Sequence, residues 1–270
     1  MANATWAAPE PPREHGAGEW LPALDVPEPG RQRRLTVLLR HLLLIPQYVV
    51  VWALSVVAFF VVVAAWFGAL VLGRMPAPTA RYLAGYLAYE TRVASSSMLL
   101  VDSYPPFALF LPVDHLVQVE VRPGTLNRLA VFFRLLLMIP AAIVQALAVG
   151  GWTVLSFFVW LVVLVLGRMP RPLFEATAAV LRFSMRFGAY SLLLSSAYPK
   201  RLFGDGDRPT GPVVSATRPL VLSGAAKALL VLFLVVGLVA GGTTGGESGG
   251  SSDHDSNASS AAPAVAPALR

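Results

Sequence analysis

The sequence predicts an all-α membrane protein made of two tandem repeats and one further transmembrane helix near the C-terminus. Two observations support this fold class. The tetrapeptide Gly-Arg-Met-Pro occurs at 73–76 and again at 167–170, each time at the end of a long apolar run. The 270 residues are 56% hydrophobic and only 13% charged, whereas soluble domains carry about 25% charged residues.

The repeat keeps a constant register of 94 residues without a gap, as the distance from Gly73 to Gly167 shows. Further matched pairs are Arg40 with Arg134, Ile45-Pro46 with Ile139-Pro140, Trp66 with Trp160, Arg92 with Arg186, and Tyr104-Pro105 with Tyr198-Pro199. A shared register of this length predicts two copies of one structural unit, repeat 1 at 24–110 and repeat 2 at 117–204.

Residues 1–23 are predicted to be a disordered cytoplasmic leader, because they combine several prolines with mixed charges and lack the apolar stretch of a signal peptide. Repeat 2 then opens with Val-Gln-Val-Glu-Val at 117–121, an alternation typical of a half-buried strand. Pro123-Gly124 follows and predicts a turn.

The long apolar runs cover about 41–72 and 135–166. Thirty-two helical residues would measure about 48 Å, against a hydrocarbon core of about 30 Å. Two forms therefore stay open. The helix begins in the interface and enters the membrane after Pro46 or Pro140, or each run folds back as a shallow hairpin, with a bend at Gly150-Gly151 in repeat 2.

Each run ends in a predicted membrane-interface motif. Glycine suits a helix C-cap, arginine suits the negative helix end and lipid phosphate, and proline prevents the helix from continuing. The motif residues are Gly73, Arg74 and Pro76 in repeat 1, and Gly167, Arg168 and Pro170 in repeat 2.

A second helix is predicted after each motif, at about 79–101 and 173–195. In repeat 2 its charges Glu175, Arg182 and Arg186 form a narrow stripe beside a wide apolar face, and in repeat 1 Arg81 and Arg92 occupy the positions equivalent to Glu175 and Arg186. This pattern favours a helix that lies in the headgroup region. The alternative is a helix that crosses the membrane, which would make Arg92, Arg182 and Arg186 intramembrane charges.

The C-terminal part divides into a linker at 205–218, a transmembrane helix at 219–241 and a disordered Gly/Ser/Ala/Pro tail at 242–270. Basic residues precede the last helix and are missing from the tail until Arg270, so we expect a cytoplasmic N-terminus and an extracytoplasmic tail. The same rule predicts that each repeat leaves the membrane where it entered, with both motifs on one side. The number of crossings stays open between three and five.

Neither an enzyme nor a metal or cofactor site is predicted. Cysteine is absent, and the four histidines lack metal-ligand spacing. Walker, dinucleotide and nucleophile-elbow patterns are also missing. The net charge of +6 comes from arginines that flank the apolar runs, which indicates anionic lipid headgroups as partners and not nucleic acid.

The order Arg-Leu, Ile-Pro, long aliphatic run, Gly-Arg-x-Pro, arginine-bearing helix and Tyr-Pro resembles a bacterial membrane family known as domain of unknown function 4389, in two tandem copies. The resemblance covers roughly 24–110 and 117–204. Repeat 2 departs from it at 198–201, where Tyr-Pro-Lys-Arg replaces the Tyr-Pro-Pro-Phe of repeat 1. It implies no activity and no catalytic residue.

Together these features predict a multi-pass protein of the bacterial inner membrane with a structural or scaffolding role in the cell envelope. Partner membrane proteins or further copies of the chain are expected beside lipid. The alternative is a small transporter or channel that uses the arginine-bearing second helices.

Overall fold

A computed structural model describes residues 21–72, 75–110, 116–121, 128–206 and 214–246. Each repeat forms a short strand, a short helix, a long helix and a shorter helix, in the same order, and one helix follows. The elements are β1 (Ala23–Asp25), α1 (Arg34–Leu38), α2 (Arg40–Leu72), α3 (Ala77–Ser97), β2 (Gln118–Glu120), α4 (Arg128–Phe132), α5 (Arg134–Leu166), α6 (Arg171–Ser191) and α7 (Gly224–Gly246). The predicted fold class is confirmed.

Several predictions concern segments outside the described residues. These are the leader up to residue 20, the first motif's Gly73 and Arg74, the turn at Pro123-Gly124, the middle of the linker at 207–213 and the tail from 247.

Both apolar runs are single continuous helices of 33 residues, with Pro46 inside α2 and Pro140 inside α5. The alternative of a hairpin that bends at Gly150-Gly151 is therefore wrong, since both glycines lie within α5. Within the described chain, three helices are long and apolar enough to cross a membrane, over 40–71, 134–166 and 224–241.

The return from each long helix is made by the shorter helix that follows it. In repeat 1 the Tyr82 hydroxyl donates to the Leu54 carbonyl at 3.1 Å, and the Tyr89 hydroxyl, further along α3, donates to Gln47, earlier in α2. In repeat 2, Gln145 likewise donates to Ser184 of α6 at 2.7 Å. Each repeat is thus an antiparallel helical hairpin.

An arginine at the start of each long helix closes its hairpin. Arg40 donates to the Val101 carbonyl at 2.9 Å and to Asp102 at 3.0 Å, just beyond the end of α3. Arg134 donates to the Tyr190 carbonyl at 2.8 Å, at the end of α6. Each hairpin therefore begins and finishes at one end.

The two hairpins run in opposite directions, as two reciprocal hydrogen bonds show. The indole N–H of Trp160, near the end of α5, donates to the Val37 carbonyl just before α2, at 2.8 Å. The indole N–H of Trp66, near the end of α2, donates to the Val131 carbonyl just before α5, at 3.1 Å. Since each long helix begins beside the end of the other, α2 and α5 are antiparallel.

The strands obey the same approximate two-fold symmetry. They pair antiparallel, with Leu24 opposite Val119 and Asp25 opposite Gln118. Val119 is the repeat equivalent of Asp25, and Gln118 that of Leu24, so the pairing is unchanged when the repeats are exchanged. The symmetry axis therefore passes between the strands and lies across the long helices.

This inversion corrects one expectation. We predicted that both Gly-Arg-Met-Pro motifs lie on one side of the membrane. The carbonyl of Gly167 instead accepts the backbone N–H of Gln32, before α2, at 2.8 Å, whereas α2 ends at the opposite end of the molecule. A sequence repeat specifies the fold inside each unit but not how two units are oriented, and the 25-residue connection between 102 and 128 is long enough to reverse the second.

Helix α7 packs tightly on α5 through two glycines. A Cβ added at Gly151 would lie 1.6 Å from the Phe233 carbonyl oxygen, and one added at Gly237 would lie 2.1 Å from that of Leu147. Such contact of two helix backbones requires residues without side chains. The pair Gly150-Gly151 therefore includes a helix-packing position.

We expect Gly151→Ala to destabilise the protein by about 1–3 kcal/mol, because the added methyl forces α5 and α7 apart. Gly150→Ala is the matched control. A Cβ there meets nothing within 4 Å. Because alanine has a better helix propensity than glycine, this variant should be as stable as the native protein or up to about 1 kcal/mol more stable. Thermal unfolding in detergent measures both, and equal midpoints would contradict the glycine contact.

Candidate functional site

The shorter helices α3 and α6 form the centre of the molecule and carry the predicted arginines. Fifteen of the 21 residues of α6 are buried, Arg182 and Arg186 among them. Arg92 of α3 is 5% exposed, Arg182 2% and Arg186 6%. The arginine stripe consequently faces other parts of the chain and not the molecular surface.

Both helices are shorter than predicted, starting two residues earlier and ending four residues earlier. They stop because Leu99 and Leu193 adopt left-handed φ values of 60° and 62°. Leu100 then donates to the Ser95 carbonyl at 3.0 Å, and the equivalent bond joins Leu194 to Ala189 at 2.9 Å. These are Schellman closures with leucine where glycine is usual.

Arg92 and Arg186 occupy equivalent positions in the two repeats and make equivalent hydrogen bonds to backbone carbonyls. Arg92 donates to the carbonyls of Ala108 at 2.5 Å and Leu109 at 3.3 Å. Arg186 donates to the Lys200 carbonyl at 3.1 Å. In each repeat, one guanidinium thus fastens the segment that follows the hairpin back onto its own helix.

Among the described residues, repeat 2 has interactions without a counterpart in repeat 1. Arg186 also donates to the Pro22 carbonyl at 3.0 Å, which binds the start of repeat 1. Arg182 forms an ion pair with Asp205 at 2.6 Å and donates to the Arg201 carbonyl at 3.1 Å. The equivalent of Arg182 in repeat 1 is the apolar residue 88, so the ion pair belongs to repeat 2 alone.

Electrostatics at this pair favour the charged carboxylate. Burial is the largest influence on Asp205 and raises its pKa, but Arg182, the Leu220 N–H and Arg186 together outweigh it, so the pKa of Asp205 is lowered. Burial, with the charge of Arg182 next, lowers the pKa of Arg186 to about 9. Two buried cations thus share one anion, and the backbone carbonyls complete their hydrogen bonding.

The interface motif lies apart from these arginines. Gly167 caps α5 in the left-handed conformation, with φ 66°, and its N–H donates to Val163 at 2.8 Å. Pro170 and Pro76 precede α6 and α3, and their carbonyls accept the N–H groups of Phe174 and Ala80. Arg168 is exposed and forms a backbone bridge with Arg31.

Asp205 was missed from the sequence, because its segment has the composition of a flexible linker. The end of that linker is ordered as well: Thr217 donates to the Leu24 carbonyl at 2.6 Å and accepts the Val26 N–H at 2.9 Å. One signal was available: no acidic residue lies within four positions of Arg182 or Arg186 on α6, so their nearest anion had to come from elsewhere in the chain. Among the described residues, no group of three or more His, Asp or Glu side chains could hold a metal ion.

Comparison with protein families matches residues 34–108 and 128–202 to the domain of unknown function (DUF4389). Those two segments make up more than half of the chain. The protein belongs to the DUF4389 family. The comparison with curated proteins and with solved structures found no match. Each DUF4389 copy begins at the short helix and ends after the hairpin. It therefore contains the arginine that closes the hairpin and the arginine that binds the following segment, which are Arg40 and Arg92 in repeat 1 and Arg134 and Arg186 in repeat 2.

We expect Asp205→Asn to destabilise the DUF4389 protein by about 3 kcal/mol, because it leaves Arg182 buried without its anion. The lowered pKa means that the carboxylate's contribution is full above about pH 3.9 and is lost as the pH falls further. Thermal unfolding against pH should therefore show a loss below this value in the native chain and a flatter profile in the variant.

The control is Asp25→Asn, which alters a more exposed ion pair with Arg218 and should cost about 1 kcal/mol or less. A loss for Asp205→Asn no larger than this would show that the Arg182–Asp205 pair does not hold the two segments together.

Proposed function

We propose that this DUF4389 protein is a structural or scaffolding component of the bacterial cell envelope, embedded in the membrane through α2, α5 and α7. The observation that supports this most directly is that the buried arginines bind groups of the protein itself. The guanidiniums of Arg92, Arg182 and Arg186 bond to the chain's own carbonyls and to Asp205. They build the fold, and among their donors in the described chain the buried Nε of Arg92 is without a partner.

The outer surface agrees with such a role. Long helices expose apolar and aromatic side chains that acyl chains would cover, and these are spread along the whole helix. Examples are Val49, Trp52, Phe60 and Phe67 of α2, and Ile143, Phe157, Phe158 and Val165 of α5. Lipid, a partner membrane protein or another copy of this chain would each suit these faces.

A second candidate, a small transporter, is favoured by the inverted arrangement of the repeats. Repeats related by an axis across the transmembrane helices are typical of secondary transporters. Residues in the interior of such a protein would then bind the substrate, and Arg182 and Arg186 are both buried on α6.

Arg186→Lys separates the two functions. One ammonium cannot replace the guanidinium that donates to both Pro22 and Lys200, so we expect a loss of about 1–3 kcal/mol in detergent. In liposomes, a scaffold should pass chloride, phosphate and small carboxylates no faster than empty vesicles do.

Arg201→Lys is the control for this change, because its side chain is 59% exposed. Solute flux by the native protein that Arg186→Lys abolishes and Arg201→Lys retains would overturn the scaffold and support the transporter.

We further propose that the end of the molecule at which α2 begins faces the cytoplasm. The described chain places exposed arginines at both ends of the hairpins. Five lie at the end where α2 begins, and two lie at the opposite end. They are Arg31, Arg33, Arg34, Arg168 and Arg171, against Arg81 and Arg128. The positive-inside rule supports this orientation, and α7 would then finish outside.

Single cysteines at 77 and 171 test the orientation, since the native chain has none. Ala77 and Arg171 are equivalent, exposed first residues of α3 and α6. In intact cells, an impermeant thiol reagent should label position 77, while position 171 should react only in inverted vesicles. Labelling of both positions from one side would rule out the inverted insertion of the two repeats.

A further inference from the structure

A small basic pocket lies where the start of repeat 1 meets the end of α5. We call it the arginine pocket; its volume is about 350 Å³. It is lined by Arg31, Gln32, Arg34, Leu166, Gly167 and Arg168. Neither repeat alone supplies these residues, so the pocket exists only because the repeats are inverted.

Backbone contacts fix the pocket's shape. The N–H of Gln32 donates to the Gly167 carbonyl at 2.8 Å, and Arg31 and Arg168 form an antiparallel bridge. Arg34 donates through Nη2 to the Val165 carbonyl at 3.2 Å. Three arginines from two repeats thereby line one space, and the guanidinium of Arg34 is held at its edge.

Within the described part of the chain, the arginines of the pocket have no acidic partner. Arg31, Arg34 and Arg168 are exposed, and no carboxylate in the described chain forms an ion pair with them. Nearby arginines at the same end differ, because Arg40 pairs with Asp102 and Arg171 with Glu175. Several planar guanidiniums without an anion are suited to a phosphate group, which they bind with bidentate, charge-assisted hydrogen bonds.

Apolar side chains border the pocket on the side of the transmembrane helices. Leu35 is 74% exposed, Val165 63% and Leu166 55%. Val165 and Leu166 belong to the last turn of a helix that is long enough to cross a membrane. A soluble phosphate compound gains nothing from such a border, whereas a lipid would lay its acyl chains there.

We propose that the arginine pocket binds the phosphate of an anionic phospholipid, with the acyl chains against Leu35, Val165 and Leu166. The bound lipid would join the two repeats at the membrane surface, since its phosphate contacts Arg31 and Arg34 of one and Arg168 of the other. The inference needs only that the protein is embedded in a membrane, and it holds for a scaffold and for a transporter alike.

Native mass spectrometry of the full chain in detergent tests the site, with phosphatidylglycerol, phosphatidylcholine and glycerol 1-phosphate as probes. Phosphatidylglycerol should bind most tightly. Arg31→Gln and Arg168→Gln should each weaken it about fivefold to tenfold, as expected for one basic residue near an anionic headgroup. Arg33→Gln, an equal change of charge at an exposed neighbour outside the pocket, should leave affinity within about twofold.

Four results would overturn the proposal. Equal weakening by Arg33→Gln would show diffuse attraction and no site. Glycerol 1-phosphate as tight as the lipid would show a free-phosphate site, and phosphatidylcholine as tight as phosphatidylglycerol would show that the arginine charge has no role. If Arg168→Gln does not fold, as judged by circular dichroism, Arg168→Lys replaces it. Lysine keeps the charge but not the planar fork, so if charge dominates, binding should weaken by at most about twofold to fivefold. Unchanged binding in both Arg31→Gln and Arg168→Lys would also exclude the site.

Discussion

Hydrogen bonds from arginine side chains to backbone carbonyls hold this structure together. Arg40 and Arg134 close the two hairpins, while Arg92 and Arg186 fasten the segments that follow them. A buried guanidinium is unfavourable unless its donors are satisfied, and loops contain many carbonyls that regular helices do not use. Each of these arginines therefore fixes a segment that would otherwise have few interactions, and the interior becomes ordered around them.

The inverted pairing of the repeats is likewise held by hydrogen bonds to backbone carbonyls, here in a reciprocal pair. Trp66 and Trp160 each donate to a carbonyl of the other repeat, at equivalent positions. An exchange of this kind gives a two-fold arrangement, as in a symmetric dimer, but within one chain. It also places the ends of the two long helices at opposite ends of the molecule, and thereby creates the arginine pocket from both repeats.

The symmetry is broken in repeat 2. Helix α7 packs on α5 at Gly151, whereas the equivalent residue of α2 is Val57, which is 49% exposed. A valine there would prevent the same close approach of two helix backbones. Arg182 and Asp205 strengthen the same half of the molecule. Repeat 2 therefore forms the more extensively packed half, and repeat 1 keeps the more open face.

The sequence by itself determined the class, the repeat and the point at which each long apolar run ends. The register of 94 residues, the apolar runs and the Gly-Arg-Met-Pro motif each depend on local periodicity or on the conformational limits of glycine and proline, which can be recognised without tertiary contacts. They located both long helices, and they located both return helices to within four residues. The leucine-closed ends were missed because Leu99 and Leu193 lack the glycine that usually marks such a closure.

Only the tertiary structure decided the direction of the second repeat and the surroundings of the arginines. Identical segments fold alike whichever way they are later packed, so the register could not distinguish parallel from inverted units. In the same way, Arg182 on a helix can face lipid headgroups or a half-buried aspartate 23 residues later. That choice depends on contacts between distant segments, which a single sequence does not display.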